Sequence, residues 1–167
     1  MAQPVRIRLR SSGAERFSWL LARPLAMTDS EPSAHHVGIT VSDLEATLPF
    51  YRDVLGLEVI TRFSVGGEAF SAGVGVEDAR GEFAHLDADG CRIELIEYDP
   101  QARGSPAAGL NQPGATHVGL SVDDLEAFYD ALPEDVSTIS EPQTTESGTS
   151  ILFLRDPESN LIEILES

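Results

Sequence analysis

One stretch of this chain is written twice, and that most limits what it can fold into. Residues 36–46, HVGITVSDLEA, align with residues 117–127, HVGLSVDDLEA, at a constant offset of 81, with identity at 8 of 11 positions and conservative change at the rest. The two copies also close alike, with RIELIE at 92–97 and LIEILE at 161–166. Each half therefore opens on a strand carrying His and ends on one carrying Glu. A duplicated unit puts equivalent side chains at equivalent places, so a pair found in one half is expected in the other.

Periodicity gives the unit its shape. In residues 35–41, Val37, Ile39 and Val41 alternate with His36, Gly38 and Thr40, the signature of a half-buried strand. Its apolar face needs a helix, and Leu44, Leu48, Tyr51 and Leu55 follow at helical spacing until Gly56. Ser42 with Glu45 reads as a capping box. Pro49 predicts a kink or a late start, because it removes one helix hydrogen bond. Residues 57–65 read as a second strand, the Gly- and Ala-rich run after them as a loop with a short helical turn. Strands at 82–88 and 91–98 follow, joined by the turn Asp89-Gly90. Residues 99–114, with three Pro and three Gly, form a linker. The second half repeats the order: a helix capped by Asp123 and ended by Pro133, at most one short strand in VSTISEPQTTESG, then strands at 149–155 and 160–166. The expected organisation is an extension outside the fold at 1–33, a first βαβββ module at 34–98, the linker, and a second module at 115–167. The fold class is α+β, with the tandem modules forming a cupped mixed sheet and the helices outside.

Composition narrows the function. Against 28 Asp and Glu stand 11 basic residues, all Arg, for a net charge of −17. Such a surface repels nucleic acid and anionic membranes, and no run is long enough to span a bilayer. Hydrated carboxylates without Lys suggest a cytoplasmic protein of a high-salt cell. A single cysteine, Cys91, excludes an internal disulfide and a thiolate zinc cage. Residues 1–26 depart from this, with five Arg and one Glu. They look like an Arg-rich targeting segment, or upstream sequence preceding a start at Met27.

Strand parity selects the chemistry. With Val37, Ile39 and Val41 on the helix, His36 faces the cleft, and His117 does so for the same reason. Glu94 and Glu163 lie between apolar neighbours that pack on the helices, so both carboxylates also face the cleft. A partly buried carboxylate is costly without a compensating charge. A divalent cation held by two neutral imidazoles and two carboxylates supplies one, with positions left for water or substrate. Any one of these residues alone reads as an ordinary strand-end polar group. Arg92 and Tyr98, which share the parity of Glu94, and Thr40 are candidates for positioning substrate, whereas His35 lies on the opposite strand face and reads as structural, and His85 sits mid-strand without an echo in the second half.

On HHVGITVSDLEATLPFYRDVLG, IELIEY, HVGLSVDDLE and DPESNLIEI, the chain from about His35 onward resembles the vicinal oxygen chelate superfamily, which includes glyoxalase I, methylmalonyl-CoA epimerase, extradiol dioxygenases and resistance proteins. The resemblance implies metal ligands His36, Glu94, His117 and Glu163. It implies one divalent ion (Zn, Ni, Co, Mn or Fe) that chelates two adjacent substrate oxygens of a small molecule; a homodimer is expected, with the cup closed either within one chain or across the dimer. Where the family's last turn usually carries Gly, this chain has Ser159. The implied reaction is enolate-type proton transfer by a lyase or isomerase, with Glu163 or Glu94 as base. The alternatives are an Fe(II) extradiol-type dioxygenase and a ligand-sequestering protein. Glyoxalase I enzymes commonly carry Arg four residues after the first ligand and Asn four after the second. Thr40 and Tyr98 occupy those positions here, which points away from glutathione and toward an epimerase-like member.

Overall fold

The computed structural model describes residues 33–102, 104 and 109–166. The expectations for residues 1–26 lie outside these. Ala34–Ser167 forms one compact unit. Its first half runs β1 (Val37–Val41), α1 (Leu44–Pro49), β2 (Glu58–Gly66), α2 (Glu68–Val74), β3 (Arg80–Asp87) and β4 (Arg92–Asp99). The second runs β5 (His117–Ser121), α3 (Leu125–Asp130), β6 (Ser137–Thr138), β7 (Gln143–Thr144), β8 (Ser150–Arg155) and β9 (Leu161–Glu166). Each half is one mixed sheet, ordered β1-β4-β3-β2 and β5-β9-β8-β6, with β7 also paired to β8. In both, the first strand lies parallel to the last and the other pairs are antiparallel. This is the expected α+β fold of tandem modules. Among the described residues no helix is long and apolar enough to cross a membrane.

Several local features differ from expectation, each for a physical reason. The helix caps are Asp43 and Asp124, one residue later than Ser42 and Asp123. Each accepts a hydrogen bond from the N–H three residues on, Ala46 and Ala127. Ser42 is otherwise engaged, giving both its N–H and its hydroxyl to Glu158. The capping-box carboxylates are replaced by the last Glu of each module: Glu97 accepts from the Leu44 N–H and Glu166 from the Leu125 N–H, both at 2.8 Å. α1 begins where its spacing indicates, and Pro49 changes its geometry rather than its start. Phe50–Val54 is a π-helical turn in which the Leu55 N–H reaches the Phe50 carbonyl. The helix widens directly after Pro49, which has no N–H for the carbonyl four residues before it. The stretch after α3 holds two short strands, β6 and β7, not one, because both pair locally with β8.

The helix-facing sides of both sheets share one core. Val41, Leu44, Leu48, Tyr51, Leu86, Ile93 and Leu95 of the first module belong to a single buried cluster with Leu125, Leu152, Leu154, Ile162 and Ile164 of the second. Truncating any one of the Leu or Ile residues to Ala costs roughly 2–5 kcal/mol. Two polar ties cross the modules. The Tyr51 hydroxyl donates to Asp156 Oδ2 at 2.9 Å, and Glu158 accepts from the backbone N–H groups of Ser42 and Asp43. The His- and Glu-bearing side of each sheet is the side away from this core.

Ser159 sits at φ +68° in the β8–β9 turn. A side chain there costs about 1–2 kcal/mol that Gly avoids. Its turn bonds, N–H to the Asp156 carbonyl and carbonyl from the Arg155 guanidinium, do not use its side chain. Ser159→Gly is therefore expected to stabilise the protein by about 1 kcal/mol, read as a rise in the urea midpoint. An unchanged or lower midpoint would show that the turn is not strained.

Candidate functional site

In the first module β1 lies beside β4 with Gly38 opposite Glu94, and β3 lies on the other flank with His85 opposite Glu94. His36, one residue before β1, lays Nε2 3.3 Å from Glu94 Oε1. In the second module Gly119 stands opposite Glu163, and His117 Nε2 is 3.2 Å from Glu163 Oε2. The two pairs are built alike because the repeat places His two residues before Gly, and Gly beside the carboxylate. A Cβ at Gly38 would lie 3.8 Å from Glu94 Oε1, and one at Gly119 3.7 Å from Glu163 Oε2. Each glycine thus sets no side chain beside its carboxylate.

The donors fit a divalent ion. Two ligands about 2.0–2.2 Å from one metal leave roughly 3.0–3.5 Å between them, and both His–Glu separations fall in that span. The four predicted ligands are nevertheless brought together as two pairs, not as one group. Each pair lies on the sheet side turned away from the common core. Among the described residues no group of three or more His, Cys, Asp or Glu is arranged to hold a metal ion.

His85 is the residue that sequence reasoning missed. Its Nε2 meets Glu94 Oε2, the oxygen not facing His36, and both residues are buried. The signal was present in the hairpin. Across Asp89-Gly90 the Ala88 N–H bonds the Cys91 carbonyl, and counting three residues outward on each side reaches His85 and Glu94. His35 is not on the opposite strand face. It lies two residues before β1 and turns toward the His36 side, its Nδ1 2.8 Å from Nδ1 of His36. Arg92 donates to His35 Nε2 at 3.3 Å.

Thr40 and Tyr98 line one cleft of about 700 Å³, with Ser42, Gln101, Glu158 and Asn160 among its walls. They lie further along the faces of β1 and β4 that carry His36 and Glu94. An aromatic strip adjoins the carboxylate on the same side of the sheet: Phe63 stacks on Phe83 at 4.9 Å, and Phe70 on Tyr98 at 6.2 Å.

Comparison with known proteins agrees with this architecture. Residues 33–164 match the family model described as the Glyoxalase/Bleomycin resistance protein/Dioxygenase superfamily. The chain is 31% identical to an ethylmalonyl-CoA/methylmalonyl-CoA epimerase of Cereibacter sphaeroides, over 78% of this chain and 94% of that protein. It is 28% identical to a probable lactoylglutathione lyase of Vibrio parahaemolyticus, over 79% and 88%. The crystal structure of a glyoxalase family protein from Bacillus cereus superimposes with a TM-score of 0.74 at 24% identity, covering 84% of this chain and 98% of that one.

Proposed function

Because the chain belongs to the Glyoxalase/Bleomycin resistance protein/Dioxygenase superfamily, we propose that it is a divalent-metal-dependent lyase or isomerase moving a proton beside the carbonyl of a small carbonyl or acyl-CoA substrate. The observation that carries this reading is the pair of matched His–Glu contacts, at 3.3 and 3.2 Å, each with a glycine opposite the carboxylate on the neighbouring strand. His36, Glu94, His117 and Glu163 would hold the ion. When bound, it supplies a Lewis acid for two adjacent substrate oxygens and so stabilises the charge left on proton removal.

The base is Glu163. Glu94 has both oxygens engaged, by His36 and His85, whereas Glu163 is held through Oε2 by His117 and its side chain is more exposed, 21% against 10%. Glu163 takes the α-proton and returns it to the same or the neighbouring carbon. Thr40 and Tyr98 flank the cleft that receives the remainder of the substrate, and the aromatic strip favours an apolar portion near the reacting carbon. Arg92 acts on the site by orienting His35 and through it His36. With the pairs on outward sides of a shared core, a four-ligand centre forms when the first module of one copy faces the second module of another, which makes the working protein a homodimer. The acidic, Lys-free composition suits a cytoplasm rich in salt.

Deuterium exchange at the α-carbon, followed by proton NMR across 2-branched acyl-CoA thioesters and hemithioacetals, tests the reaction. Metal-dependent exchange is expected in the native protein, falling about 10²- to 10⁴-fold in Glu163→Ala. Oxygen uptake with a catechol would replace this reading by a dioxygenase, and tight substrate binding without exchange by sequestration.

A further inference from the structure

The two half-centres differ by one hydrogen-bond donor. His85 lies opposite Glu94, and at the same place in the second module Phe153 lies opposite Glu163. Phe153 turns its ring edge-on to His117 at 5.3 Å and has nothing to offer a carboxylate. His85 places Nε2 on Glu94 Oε2, which leaves Oε1 facing His36 Nε2 at 3.3 Å. The His85 ring is itself fixed, with Phe63 edge-on at 5.0 Å and His36 stacked at 6.2 Å. The three side chains do not converge on a common point, because the two imidazoles address opposite oxygens of one carboxylate.

We propose that His85 is a positioning residue for Glu94: it holds Oε2 so that Oε1 alone, beside His36, is presented to the metal. The first module then offers a preoriented one-oxygen ligand, while Glu163 keeps the freedom a base requires. This rests on the metal-dependent reading above. The physical ground is general: an outer hydrogen-bond partner fixes the orientation of a ligating group, and its removal typically weakens metal binding by about 10- to 100-fold.

Cobalt(II) titration of the full-length protein tests it, followed by calorimetry and by the visible absorption of the bound ion. His85→Phe, which installs the residue the second module already tolerates at this place, is expected to bind cobalt about 10- to 100-fold more weakly with a changed visible spectrum. His85→Gln, whose amide nitrogen can take the place of Nε2, is expected to recover most of the affinity and the native spectrum. Equal affinity and an unchanged spectrum in His85→Phe would overturn the proposal. So would loss of one coordinated nitrogen in both variants, which would make His85 a ligand rather than a positioning residue. If the native protein binds no cobalt, zinc or other divalent ion, the metal-dependent reading falls and this inference with it. If the native protein binds metal and only the His85 outcome fails, the reading stands.

Discussion

Mixing Glu94→Ala with Glu163→Ala is expected to restore activity and metal binding that each protein alone has largely lost. The shared core is the reason. Leu44, Tyr51 and Leu95 share one buried cluster with Leu125, Leu152 and Ile164, the His–Glu side of each sheet lies away from that cluster, and the four candidate ligands stand as two separate pairs. A centre built from the first module of one copy and the second of another gives a mixed dimer one site lacking both carboxylates and one site intact. After complete random exchange half of the dimers are mixed, so about a quarter of the native sites return. A centre closed within one chain gives none, since each chain then carries one lesion in its own site. Native mass spectrometry verifies that mixed dimers have formed, and stoichiometric metal and α-proton exchange are then read on the same sample. Confirmed mixed dimers without recovery would sink the proposed arrangement.

The second large effect is on stability. Asp156 is buried and accepts from the Tyr51 hydroxyl, the Glu158 and Asn160 backbone N–H groups and the Asn160 side-chain amide. Asp156→Ala strands these donors and opens the β8–β9 turn that carries Glu158 to Ser42. The expected loss is on the order of 3–5 kcal/mol, a large part of the stability of a domain this size. Tyr51→Phe removes one bond and keeps the packing, costing about 1 kcal/mol. The same contact sets an alkaline limit. Burial, reinforced by the Asp156 charge, pushes the Tyr51 phenol far above its ordinary value. The unfolded chain releases that proton first, near pH 10, so stability present below that pH is lost as pH rises beyond it. Urea titrations at pH 8 and above pH 10 should show a steeper loss in the native protein than in Tyr51→Phe; parallel losses would mean that Tyr51 does not carry the effect.

Much of the candidate site's geometry was legible because its elements are local and repeated. Alternation in 35–41 and at the closing strands put His36 with Glu94 and His117 with Glu163 on common faces, and the structure sets both pairs in contact. Ser159 stood out only through the resemblance, which expects Gly in that turn, and the structure holds it at φ +68°. His85 was within reach through the hairpin count but lacked an echo, since the repeat carries Phe153 there. The caps were misplaced by one residue because Ser42 and Asp43 are both competent caps. The contact with Glu158, 116 residues away, engages Ser42 and leaves the helix to Asp43.

The sequence by itself determined the module, its duplication, the strand order's local pieces and which side chains share a face. Those follow from backbone geometry, where a period of two or 3.6 assigns every residue a side. Only the tertiary structure decided that core residues of the two modules join one buried cluster, and that the four candidate ligands stand as two pairs rather than one group. Parity says which face a residue occupies, not what that face meets. The latter is settled by apolar surfaces far apart in the chain, Leu44 and Tyr51 against Leu125 and Ile164, whose burial is non-directional and leaves no periodic trace.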